Sequence, residues 1–117
     1  MVGNYLAESV NAVNQRDFTI VEPLIDPNGK KYKEQRDYNQ YLEKKNITEE
    51  LLNFEIKDIV QVDQESYKVT TYEEYRIVYE DYSEKIKSFN SSYRVKALAD
   101  GQLTINELLY LKEQSSQ

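Results

Sequence analysis

Residues 67–79 read YKVTTYEEYRIVY, and this stretch decides the fold class. Its β-branched and aromatic residues alternate with the period of two that marks a strand. One face carries Tyr67, Val69, Thr71, Glu73, Tyr75, Ile77 and Tyr79, and the other Lys68, Thr70, Tyr72, Glu74, Arg76, Val78 and Glu80. The first face is apolar and aromatic except at Glu73. Upstream, Asp63-Gln64-Glu65-Ser66 reads as a turn, preceded by a strand or a pair of strand pieces bearing Phe54, Ile56, Val60 and Val62. Downstream, Asp81-Tyr82-Ser83 is the next turn, residues 86–98 a third strand, and Asp100-Gly101 a hairpin turn of a favoured type. Residues 103–111 supply the last strand. The order predicts a four-strand antiparallel meander.

The period changes on the N-terminal side. Leu6, Val10 and Val13 recur at helical spacing with Tyr5 beside them. Asp17 has the chemistry of an N-cap and predicts a second short helix with Phe18, Val21 and Leu24 inward, limited by Pro23. Asp26-Pro27-Asn28-Gly29 is a turn cluster. A third helix follows over residues 30–45, with Tyr38, Tyr41 and Leu42 as its apolar stripe, and Asn46-Ile47-Thr48 ends it. Three helices segregated to one side of a four-strand sheet define an α+β fold. With 117 residues the chain fits one domain, expected over residues 4–112 with a frayed tail at 113–117.

Composition narrows the function. The formal net charge is -6, which argues against nucleic acid as a partner, because such binding draws on Lys and Arg neutralising phosphates. With no His and no Cys, the chain lacks the usual zinc ligands, the common general base and the thiol nucleophile, so no metal and no cofactor is expected. The 11 tyrosines and regular Val/Ile/Leu spacing argue for a folded chain. No stretch has the basic flank and apolar run of a signal peptide or the length of a membrane span.

Residues 18–42 (FTIVEPLIDPNGKKYKEQRDYNQYL) and 47–56 (ITEELLNFEI), together with YKVTTYEEYRIVY and KSFNSSYRVK before DGQLTINEL, resemble the C-terminal domain of TcaA/YvbJ-type proteins. These are membrane-anchored proteins of Gram-positive bacteria with an N-terminal zinc ribbon, one transmembrane helix and several extracellular domains. The resemblance covers about Asn4 to Lys112. It implies a nuclear transport factor 2-like fold, a cone in which a curved sheet wraps around helices. It also implies an extracellular position, membrane attachment only through a segment of the parent chain, and a link to glycopeptide antibiotic response. It carries over no catalytic residue.

The sites open to proposal are few. In such a cone Glu73, on the concave face beside Tyr75, could bind a ligand or act as an acid or base. The ordinary alternative is that Glu73 meets solvent or pairs with a Lys or Arg. Tyr72, on the opposite face, is the tyrosine expected to be exposed and available for stacking. Lys30, Lys31, Lys33 and Arg36 concentrate cations that could dock a wall polyanion, although Glu34 and Asp37 among them also fit a solvated helix face. Asp100 to Glu107 resembles half a calcium loop but puts Lys96 and Leu98 where oxygen ligands are required, so a turn explains it. The expectation is therefore a non-catalytic extracellular binding domain, its partner being cell-wall polymer, a glycopeptide or another envelope protein domain. The alternative is a small-molecule-binding or isomerase-like protein working in the cavity of the cone.

Overall fold

A computed structural model describes residues 2–114. The elements run α1 (Val2–Gln15), two 3-10 turns (Phe18–Ile20 and Glu22–Leu24), α2 (Lys30–Lys44), β1 (Thr48–Gln61), β2 (Ser66–Val78), β3 (Glu84–Ala97) and β4 (Leu103–Glu113). The strands form one antiparallel sheet in the order β1-β2-β3-β4, so the meander is as expected. The helical segments pack on one face of it.

The sequence reading expected three helices; there are two, and the middle segment is a pair of 3-10 turns. Asp17 caps the first turn as expected, its side chain accepting from the Thr19 amide at 3.1 Å. Continuation as a helix is prevented by Pro23 in the second turn. The chain then runs against the sheet: Ile25 bridges Ile105 of β4, and the Asp26 amide donates to the Ile105 carbonyl at 2.9 Å. This brings Val21 and Ile25 into the core with Val69, Val95 and Ile105. Asp26 is itself buried, accepting from the Asn28 amide and from Asn106 Nδ2, each at 2.9 Å. Gly29 precedes α2 where the backbone passes so close to the Asn106 carbonyl that any Cβ would collide with it.

Two further expectations change. In α2 the buried positions are Gln35, Asn39 and Leu42, while Tyr38 and Tyr41 are 44% and 53% exposed. The helix therefore turns a partly polar stripe inward. In β1, register shifts between Leu51 and Asn53 and between Ile56 and Asp58 break the two-residue alternation. Phe54 and Ile56 consequently share the concave face, whereas Val60 lies opposite Lys68 on the other, and all three are exposed. Asn14 guards the edge of β1, donating to the Glu49 carbonyl at 2.6 Å and accepting from the Glu49 amide at 2.8 Å. Val2 is a core residue, and Glu113 is paired in β4. Of the tail expected to fray, residues 115–117 lie outside the described residues.

Candidate functional site

The alternation of β2 sends Thr71, Glu73 and Tyr75 to the concave face, with Phe54 and Phe89 flanking Glu73 on the neighbouring strands. Toward Ile105 this face is sealed by the 3-10 turns. Toward the other end it lies under α1 and α2, and there the space is not filled. A cavity of about 480 Å3 opens between sheet and helices, with Glu73, Tyr75, Phe89 and Tyr93 on the sheet side. Tyr5, Lys31, Glu34 and Tyr38 line it from the helices, and Glu49 and Glu113 from the edge strands.

Glu73 is only 2% exposed. It accepts three hydroxyl hydrogen bonds, from Tyr75 at 2.6 Å on one carboxylate oxygen, and from Thr71 and Tyr93 at 2.7 Å on the other. Neither ordinary fate applies: the side chain does not reach solvent, and among the described residues no Lys or Arg makes an ion pair with it. Hydroxyl donors satisfy it instead, which is how a buried carboxylate avoids the cost of an unpaired charge.

The phenols of this end are all committed. Besides Tyr75 and Tyr93, Tyr5 donates to Gln35 Oε1 at 2.8 Å, and Tyr38 donates to Glu49 at 3.3 Å. Burial first, and the Glu73 charge second, push the Tyr5, Tyr75 and Tyr93 hydroxyls above the ordinary tyrosine range. Desolvation also raises the Glu49 carboxyl, with the Tyr38 hydrogen bond pulling the other way. Burial lowers the Lys31 ammonium, opposed by Glu34 and Glu73. The ring of Tyr5 meets that of Tyr93 edge-on at 5.9 Å, and Tyr75 meets Phe89 at 6.1 Å, so the hydroxyl cluster is braced by aromatic packing.

Of the residues singled out in the sequence, Glu73 and Tyr75 come together here and Tyr72 does not. Tyr72 faces the convex side opposite Asn90, half-buried and near Glu74; the most exposed tyrosine is Tyr82, at 87%. The expected cation patch divides. Lys30 is set against Glu107 at 3.3 Å and Lys33 against Asp37 at 2.7 Å. Arg36 lies 3.8 Å from Asp37 and stacks over Tyr32, while Lys31 alone turns to the cavity. Sequence reasoning missed Tyr93 and Thr71 as hydrogen-bond partners of Glu73, and Tyr5 and Phe89 as residues lining the cavity beside it. The signal for Phe89 and Tyr93 lay in the hairpin: the turn at Asp81-Tyr82-Ser83 sets the register that pairs Glu73 with Phe89, and alternation then puts Tyr93 on the same face.

Residues 1–109 match the family described as the TcaA protein NTF2-like domain. The chain belongs to that family. A relative in Bacillus subtilis, the uncharacterized membrane protein YvbJ, is 30% identical over 92 residues, which is 79% of this chain and 15% of the relative. The TcaA-type domain thus spans a small part of that membrane protein's length. Among its described residues no helix is long and apolar enough to cross a membrane. Among solved structures, a ketosteroid isomerase-like protein from Erwinia carotovora atroseptica superposes with a TM-score of 0.73 at 13% identity, covering 97% of this chain and 93% of that one. That likeness establishes the NTF2/ketosteroid isomerase-like fold.

Proposed function

We propose that this TcaA-type domain is a non-catalytic binding module on the extracellular side of a membrane-anchored envelope protein, with the cavity at Glu73 as its ligand site. Cell-wall material or a glycopeptide is the ligand class this reading favours, which would tie the domain to antibiotic response. One observation carries the choice of binding over turnover: the hydroxyl protons of Thr71, Tyr75 and Tyr93 all point at the Glu73 carboxylate. Isomerase chemistry in this fold needs a carboxylate base and a separate hydroxyl or acid that donates to the developing oxyanion. Here the tyrosine protons that would serve as donors already have acceptors, so the constellation is built to hold still. A pocket that is mostly apolar, with a few fixed polar groups at its base, suits recognition.

The test is an amide NMR titration of the domain with soluble muropeptides from digested cell wall and, separately, with vancomycin. Saturable shifts at Tyr5, Phe89, Tyr93 and Leu108 are expected from at least one of them. Shifts confined to the convex face around Tyr72, Asn90 and Tyr110, or none from either ligand, would overturn the cavity as the ligand site. Turnover of a β,γ-unsaturated ketosteroid that disappears in Glu73→Gln would restore the catalytic alternative.

A further inference from the structure

We infer that the cavity is built for an organic ammonium group carried on a small apolar or aromatic body; this rests on the cavity being the ligand site. The first argument is the hydrogen-bond inventory. Each lining phenol donates its hydroxyl hydrogen to an internal acceptor: Tyr5 to Gln35, Tyr38 to Glu49, and Tyr75 and Tyr93 to Glu73. A phenol that donates keeps its lone pairs. Of the roughly four acceptor positions of a carboxylate, Glu73 uses three, two on one oxygen and one on the other. The polar groups of this end therefore offer the ligand acceptors, and an incoming anion would find few donors.

Charge points the same way. The lining holds the carboxylates of Glu34, Glu49, Glu73 and Glu113 against the ammonium groups of Lys31 and Lys87. Lys87 is engaged by Glu113 at 3.5 Å. That leaves Lys31 to face Glu34 and Glu73, and among the described residues it makes no ion pair with either. Lys31 is thus a resident competitor for the same acceptors and too few to neutralise them. The aromatic rings of Tyr5, Tyr38, Tyr75, Phe89 and Tyr93 supply the third component. Their π faces attract a cation most strongly where water is scarce. Carboxylate, outward lone pairs and aromatic walls together match an ammonium group in each respect.

Three probes of similar shape separate the possibilities: phenethylamine as the cation, 2-phenylethanol as the neutral form and 3-phenylpropanoate as the anion. Amide shifts at the cavity are followed with each at neutral pH. Phenethylamine should bind about fivefold or more tighter than 2-phenylethanol, with 3-phenylpropanoate weakest. Lys31→Met should tighten the amine and weaken the acid. Glu73→Gln should weaken the amine about tenfold, and Glu49→Gln, at the margin of the site, gives the same sign should Glu73→Gln not fold. An order led by the alcohol or the acid, or an amine affinity indifferent to Lys31→Met, overturns the ammonium assignment while leaving a cavity that binds. Failure of all three probes overturns it too, and the cavity reading falls with it only when the wall fragments and vancomycin also leave these amides unmoved.

Discussion

The two ends of the concave face follow one alternating pattern and reach opposite outcomes. At one end Val69, Val95 and Ile105 meet Val21 and Ile25, and hydrophobic side chains fill the space between sheet and turns. At the other, Thr71, Glu73 and Tyr75 face α1 and an α2 whose inward residues include Gln35 and Asn39, and a cavity remains. The filled end is covered by chain pinned directly to β4 through the Ile25–Ile105 bridge. The open end is covered by a helix held at a distance by side chains, since Tyr5 of α1 and Gln35 of α2 hydrogen-bond to each other above the sheet. Hydrophobic side chains close space by filling it, whereas a hydrogen-bonded pair closes by bridging and leaves room beneath.

This contrast can be broken most easily at the filled end. Ile105→Ala, at a residue with no exposure, should cost about 2–5 kcal/mol by the lost burial and the cavity left behind. Urea denaturation at neutral pH measures it, and a loss well under 1 kcal/mol would mean that this end is not the packed one. At the open end a smaller effect is expected. Tyr93→Phe keeps the ring against Tyr5 and removes one hydroxyl from Glu73, which water in the cavity can replace, so the cost should be about 1 kcal/mol. A loss as large as that of Ile105→Ala would show that the open end is as tightly coupled as the closed one.

The smallest effect sharpens the electrostatic side of the comparison. Burial raises the Glu49 carboxyl above 4.5, so between that value and its folded one the folded state binds more protons than the unfolded state. Stability from this group is then lost as pH rises through that window. Urea midpoints across the acid range should therefore show wild type gaining on Glu49→Gln as pH falls. An unchanged difference between the two at every pH would place Glu49 in ordinary solvent.

Much of the fold was legible because its determinants are local. The period of β2, the Asp-Gly hairpin, the Asp17 cap and the stop at Pro23 are each set within a few residues. The errors sit where tertiary structure overrides local pattern. Tyr38 and Tyr41 have helical spacing, yet α2 docks through Gln35, Asn39 and Leu42, because Gln35 has a partner in Tyr5 and pairs onward with Asn39 at 2.7 Å. The face of each apolar residue in β1 depends on two bulges that alternation alone does not reveal. Within the site, Glu73 stood out as the one carboxylate on an apolar face. Its partner Tyr93, 20 positions along the chain, became visible only once the register of β2 and β3 was known.

Composition and periodicity by themselves determined that this protein is an α+β domain with a sheet meander and no imidazole or thiol for chemistry. They also put Glu73 and Tyr75 on one face, since a strand's alternation is a property of its backbone. Only the tertiary structure decided that this face is packed at one end and hollow at the other, and that Glu73 is held by hydroxyls instead of a cation. The reason is physical: register and helix docking are settled by contacts between residues far apart in the chain, and a carboxylate's surroundings are whatever those contacts bring to it.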